Sequence, residues 1–154
     1  MTAIRKKLAN PLAAILGYRR GLSLEAATAA AEANLARIQH DCLASLDQAL
    51  GVIYQQLPKL DHAENPVQAE AIYQAANQVL ALGAHCQLAA LGKAAFCLCE
   101  LIDRSRMRGQ WSRAALETHL QALKLLRSPP ANADPKTEAA IIAGLFKVIE
   151  KTSR

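Results

Sequence analysis

At 154 residues and 16.6 kDa the chain has the size of one ordinary domain, long enough to bury a core without a disulfide framework or a structural metal. Ala (32) and Leu (23) far outnumber Val plus Ile (13) and the six aromatics, a balance that favours helices and argues against a β-rich fold. The net charge of +5 is uneven: residues 1–20 carry five basic groups and no acidic one, residues 21–103 sum to −6, and residues 104–154 sum to +6.

The basic start, Arg5-Lys6-Lys7, is followed by an apolar run from Leu8 to Tyr18 that is broken by Asn10-Pro11. A membrane span needs roughly 20 apolar residues, so this run is too short to cross a bilayer. It ends in Arg19-Arg20 without a small-x-small cleavage site, so it does not read as a signal peptide. Asn10-Pro11 reads instead as a cap and first helical residue, with Gly21 as the stop of a basic lead-in helix within residues 1–22.

Ser23 is the next N-cap, and no proline follows until Pro58, so one long helix from Leu24 to Leu57 is expected. Ala31, Leu35, Ile38, Cys42, Leu46, Ala49, Ile53 and Leu57 recur at intervals of three and four, the spacing of a buried seam. Asn65-Pro66 starts a second helix, carrying Val67, Ala71, Ile72, Ala75, Val79 and Leu82 inward, which Gly83 is expected to stop or kink. The pattern resumes at Leu88 and runs through Leu91, Ala95, Leu98, Leu101 and Ile102 to the charged Asp103–Gly109 stretch. Ser112 caps a further helix to about Arg127, and Asp134-Pro135 opens a last one with Ala139, Ile142, Leu145, Phe146 and Ile149 inward. The short connections suit an all-α, antiparallel up-down bundle of four to five helices with one long N-terminal helix, a single domain over residues 23–154.

The chain holds no Gly-rich phosphate loop, Walker lysine, His-Glu-x-x-His or Gly-x-Ser-x-Gly, so nothing in it reads as an enzyme or calls for a cofactor. Cys42, Cys86, Cys97 and Cys99 form no Cys-x-x-Cys pair, and they read as small reduced core residues of a cytoplasmic protein. A metal site from His85, Cys86, Cys97 and Cys99 would require a fold-back that the spacing does not supply, and none is expected. His40 falls off the apolar stripe and His119 sits beside Glu117, so both read as surface histidines, while His62 lies in a polar connection. His85 lies at a helix junction, where a side chain can be exposed on a rigid frame. Arg104, Arg106 and Arg108 make a basic cluster, with Arg104 and Arg108 one turn apart; it suits a phosphate or the acidic face of a partner, and equally a solvated helix end. A pI of 9.2 is compatible with nucleic acid, but the acidic middle and the scarcity of aromatics argue against such a partner.

Around Leu82-Gly83, Ala90-Leu91-Gly92-Lys93-Ala94-Ala95 and Leu98-Cys99-Glu100-Leu101-Ile102-Asp103, about 30 residues in all, the sequence resembles histidine-containing phosphotransfer domains. It is similar, too, to small helical accessory proteins of bacterial chemotaxis clusters. The resemblance implies a four-helix bundle that meets response-regulator receivers and histidine kinases in two-component or chemotaxis signalling. It departs from the family at the reactive position, because four residues before Gly83 stands Val79, which cannot carry a phosphoryl group. Either the acceptor has moved, with His85 as the candidate, or it has been lost and the bundle only binds. Gln78, Gly83, Ala84, Arg104 and Arg108 are then the expected docking residues. The alternative is a helical scaffold whose long helix pairs with a partner or with a second copy of the chain.

Overall fold

The computed structural model describes residues 23–60, 66–128 and 134–152. Among the described residues the fold is all-α: α1 (Leu24–Gln56) with a 3₁₀ turn (Leu57–Lys59), α2 (Pro66–His85), α3 (Ala89–Arg108), α4 (Arg113–Arg127) and α5 (Pro135–Thr152). The basic lead-in helix expected within residues 1–22 lies outside the described residues. Two compact units divide the chain, Met1–Arg37 and Ile38–Arg154, with the boundary inside α1.

Local chemistry sets the helix ends where the sequence marks them. The Ser23 hydroxyl accepts from the Ala26 N–H at 3.1 Å, and Ser112 accepts from Ala115 at 3.3 Å, each satisfying an orphan donor of the first turn. Asp134 accepts from the Lys136 N–H at 3.0 Å at the start of α5. Pro58 ends α1, the chain tightening into the 3₁₀ turn around it.

The second stop differs from the expected one. Gly83 does not end α2, which continues to His85. The chain turns instead at Gln87, whose φ of 59° is left-handed, with Leu88 N–H donating to Gly83 O at 2.7 Å and Gln87 N–H to Ala84 O at 3.3 Å. This is a Schellman closure with glutamine in the place glycine usually takes. Its counterpart at the end of α3 does use glycine: Gly109 has a φ of 65°, and Gln110 N–H donates to Ser105 O at 3.2 Å.

Gly83 serves packing. A Cβ placed there would lie 3.0 Å from both Cα and N of Gly92 and 3.1 Å from Leu88 O, so the backbones of α2 and α3 meet at this point. From it α3 runs through the centre of the bundle, with Leu91, Leu98, Leu101 and Ile102 buried, and packs against α2, α4 and α5. Ile72 and Val79 of α2, Leu116 and Leu123 of α4, and Leu145 and Ile149 of α5 close over it. The later part of α1 adds Leu46, Leu50 and Ile53, and Leu57 follows in the 3₁₀ turn. A two-pronged ion pair, Arg127 to Asp47 at 2.7 and 2.9 Å, ties α1 to α4.

The long seam of α1 holds only in part. Residues 24–41 are all exposed, including Ala31, Leu35 (66%) and Ile38 (56%), and burial becomes regular only from Leu46 onward. Val67, Ala71, Ala139 and Phe146, expected inward, are also exposed: Val67 and Ala71 turn away from the face of α2 that carries Ile72, Ala76 and Val79, and Ala139 and Phe146 lie off the Leu145–Ile149 face of α5.

The two kinds of glycine predict opposite outcomes for one substitution. Gly83→Ala is expected to lower unfolding stability by about 1–3 kcal/mol, since the new methyl meets backbone that cannot step aside. Gly144→Ala, in α5 with nothing within 4 Å of a new Cβ, is expected to raise it by about 0.5–1 kcal/mol through helix propensity. Urea unfolding of the two variants checks this, and a Gly83→Ala chain as stable as the parent would refute the close approach.

Candidate functional site

The α2–α3 corner gathers the first part of the expected docking set. Gln78, Ala84 and His85 are exposed, whereas Gly83 is buried against Gly92 and offers no surface of its own. Ala71, Gln74, Gln78, Ala81 and His85 are spaced three and four apart and are all exposed, so α2 presents one uncharged stripe of small and amide residues ending in an imidazole. Beside it, between α1 and α2, runs an open groove of about 640 Å³ whose walls include Gln48 and Val52 on one side and Gln74, Asn77 and Gln78 on the other.

Arg104 and Arg108 are not part of this corner. They follow the first residue of α3 by 15 and 19 positions, roughly 22 and 28 Å along the axis, at the opposite end of the hairpin. Arg104 reaches Glu100 at 3.2 Å and Arg108 donates to Thr152 O at 3.0 Å. Arg106 is held by Glu70 at 2.8 Å and lies 5.4 Å from the centre of the Tyr73 ring, and Arg113 is held by Glu117 at 2.9 Å. The five expected docking residues, and the candidate acceptor His85, therefore divide into two separate places.

The cysteines depart from expectation. Cys42 and Cys86 form a disulfide across 44 positions of sequence, with Cα atoms 6.5 Å apart. It fastens α1 to the end of α2, one residue after His85, and removes Cys86 from any metal set. Disulfides are characteristic of oxidising compartments, so reduced thiols no longer argue for a cytoplasmic location. Nothing in the spacing of the four cysteines marks this pair, because α1 and α2 bring Cys42 to Cys86 only through antiparallel packing. Cys97 and Cys99 are free and buried, their thiols pushed up to about 11 chiefly by desolvation, which makes them inert packing residues. No group of three or more His, Cys, Asp or Glu is placed to hold a metal among the described residues. No described helix is long and apolar enough to cross a membrane.

His40 is exposed, as its place off the stripe implies, but His119 is fully buried. Its Nδ1–H donates to Ala115 O at 2.7 Å, a carbonyl that can only accept, so the bare Nε2 faces the core without a partner. Burial accordingly lowers its pKa, the bond to Ala115 opposing only in part. The sequence signal for this was present: Ala115, Leu116, His119, Leu120 and Leu123 share one helical face.

No family model, curated protein or solved structure matches the chain.

Three measurements test these side chains. Cys42→Ser is expected to lose about 2–4 kcal/mol of unfolding stability relative to the oxidised parent, the usual range for a disulfide, with a closed loop of this length favouring its upper end. Thiol titration in denaturant should find two reactive thiols in the oxidised parent, those of Cys97 and Cys99, and four after reduction; four before reduction would deny the bond. For His119 the unfolded chain takes up a proton near the ordinary value of about 6.5, while the native core resists it. Its contribution to stability is complete above that pH and falls as the pH drops from there to the lowered native value, by at most about 1.4 kcal/mol per unit. Urea midpoints at pH 7, 6 and 5 should fall in the parent and less steeply in His119→Leu.

Proposed function

We propose that the chain is a helical docking module of the phosphotransfer type, binding a receiver domain or a histidine kinase in two-component or chemotaxis signalling without a phosphoryl group at the family's usual position. The observation that carries this reading is the exposed stripe of α2, Ala71, Gln74, Gln78, Ala81 and His85, standing beside the α1–α2 groove. Small and amide side chains let another helix approach closely and hydrogen-bond without having to strip water from charges. The Gly83–Gly92 contact and the Cys42–Cys86 bond hold this face at its His85 end, which reduces the ordering cost of binding. Val79, at the position matching the family's reactive histidine, is fully buried, so the bundle's contribution is recognition.

A second reading rests on α1. Leu24 (84% exposed) and Leu35 (66%) lie 11 positions apart, three turns along one face, and offer an apolar contact to a second copy of the chain.

One set of assays separates the two. The native chain, Gln78→Arg, His85→Ala and Leu35→Glu are each incubated with autophosphorylated kinases and receivers in the presence of labelled phosphate, and binding is measured in parallel. Docking through α2 predicts receiver or kinase binding weakened at least tenfold by Gln78→Arg, about 1.4 kcal/mol, and no acid-labile label on the chain. Label that disappears in His85→Ala would instead make His85 a displaced acceptor. Absence of any receiver or kinase binding, together with a dimer in light scattering that Leu35→Glu dissociates, would overturn the docking reading in favour of the scaffold.

A further inference from the structure

The arginine end of α3 holds a feature that the docking reading does not use. A cavity of about 140 Å³ opens where the end of α3 meets the start of α4 and the end of α5, lined by Arg104, Ser105, Arg108, Gln110, Trp111 and Ser112. That volume equals roughly four or five waters and falls well below the 300–1,000 Å³ of pockets that take drug-sized ligands. It suits a small polyatomic ion.

The lining is rich in donors. Arg108 carries five N–H groups, and among the described residues it donates to Thr152 O at 3.0 Å. Arg104 contributes a second guanidinium, with Glu100 3.2 Å from one of its nitrogens. The Trp111 indole N–H, which can only donate, is enclosed and has no acceptor among the described residues, an unfavourable state for a buried polar group. Ser105 is nine-tenths buried, which is unusual for a serine, and Gln110 adds an amide. Arg106 and Arg113, held by Glu70 and Glu117, are not in the lining; the two cations that line the cavity are Arg108 and Arg104, the latter also paired with Glu100. The chemical complement of these donors is a compact group with several acceptor oxygens and negative charge.

We propose that this cavity binds a tetrahedral oxyanion, specifically phosphate, either free or as the terminal group of a small phosphate monoester. Two guanidinium groups meet phosphate oxygens with charge-assisted bonds, and the indole N–H gains the acceptor it lacks. The N-terminal end of α4, at Ser112, adds a favourable dipole, although the Ser112 hydroxyl is itself engaged with Ala115 N–H. No covalent step is involved, and the site is independent of the α2 surface.

Trp111 is the only tryptophan of the chain and lines this cavity; because it also borders the neighbouring pocket of Glu70 and Arg106, the Arg104 and Arg108 variants localise its response. The full chain is titrated with inorganic phosphate, methyl phosphate and sodium chloride at constant ionic strength, with the indole N–H resonance followed by NMR as a second readout. Phosphate is expected to give a saturable response with half-saturation in the millimolar range or below, and chloride none. Arg108→Gln should weaken it at least tenfold and Arg104→Gln/Arg108→Gln should abolish it, while Arg113→Gln leaves it within twofold; circular dichroism verifies that each variant is folded. Methyl phosphate binding as well as phosphate identifies the phosphoryl group as the ligand, and a response to inorganic phosphate alone identifies the free ion; either supports the site. Equal, unsaturable responses to phosphate and chloride, or a folded Arg108→Gln chain that binds like the parent, would overturn it.

Discussion

Gly83 and Gly92 let the backbones of α2 and α3 touch, and much of the bundle's arrangement follows from that contact. Two helices this close can be joined by a very short corner, and Gln87 accepts a left-handed conformation there to close it. Because α3 is pressed against α2 on one side, its remaining faces are free to meet α4 and α5, which makes it the central helix. The energy lies in Leu91, Leu98, Leu101 and Ile102, but their burial depends on two residues that have no side chain.

The attachment of α1 is of a different kind. Its buried residues run only from Leu46 through Ile53, continued by Leu57 in the 3₁₀ turn, and beside them an open groove separates α1 from α2. Among the ties around that apolar strip are the Cys42–Cys86 bond, the Asp47–Arg127 pair, Gln68 donating to Gln56 O at 2.9 Å, and Lys124 over the Tyr54 ring at 5.6 Å. The arginine holds the Asp47 carboxyl below its ordinary range, so the pair stays ionised at neutral pH. From Cys42 onward α1 is thus held by covalent and polar links beside a short buried apolar strip.

Helix boundaries were legible in the sequence because caps and prolines act locally: Ser23, Pro58, Pro66, Ser112 and Pro135 each mark the end they form. Periodicity located the cores of α3 and α4. It misjudged the first part of α1, because a stripe shows only that a helix could be buried, and a partner surface in the folded chain decides whether it is. The same limit explains His119, whose neighbour Glu117 suggests solvent although the histidine lies on the apolar face. Of the candidate site, the exposure of His85 was legible from its junction. The Cys42–Cys86 bond and the cavity of Arg104, Arg108 and Trp111 were not, since both join elements through packing that no local pattern encodes.

The two ends of the α2–α3 hairpin have opposite chemical character, which constrains how the molecule can be used. At the corner end, α2 exposes uncharged small and amide residues with one imidazole, on a surface held by a glycine contact and a disulfide. At the other end Arg104, Arg106 and Arg108 of α3 crowd toward Arg113 at the start of α4; Arg104, Arg106 and Arg113 are paired with Glu100, Glu70 and Glu117, and Arg104 and Arg108 line a small cavity. A macromolecule docking on the first end gains from shape and preorganisation and responds little to salt, whereas an anion at the second gains from charge and responds strongly. The His85 end of the α2 stripe lies roughly 20 Å or more from the arginine cavity, whereas its Ala71 end stands beside Glu70, the partner of Arg106, so α2 as well as α3 links the two regions.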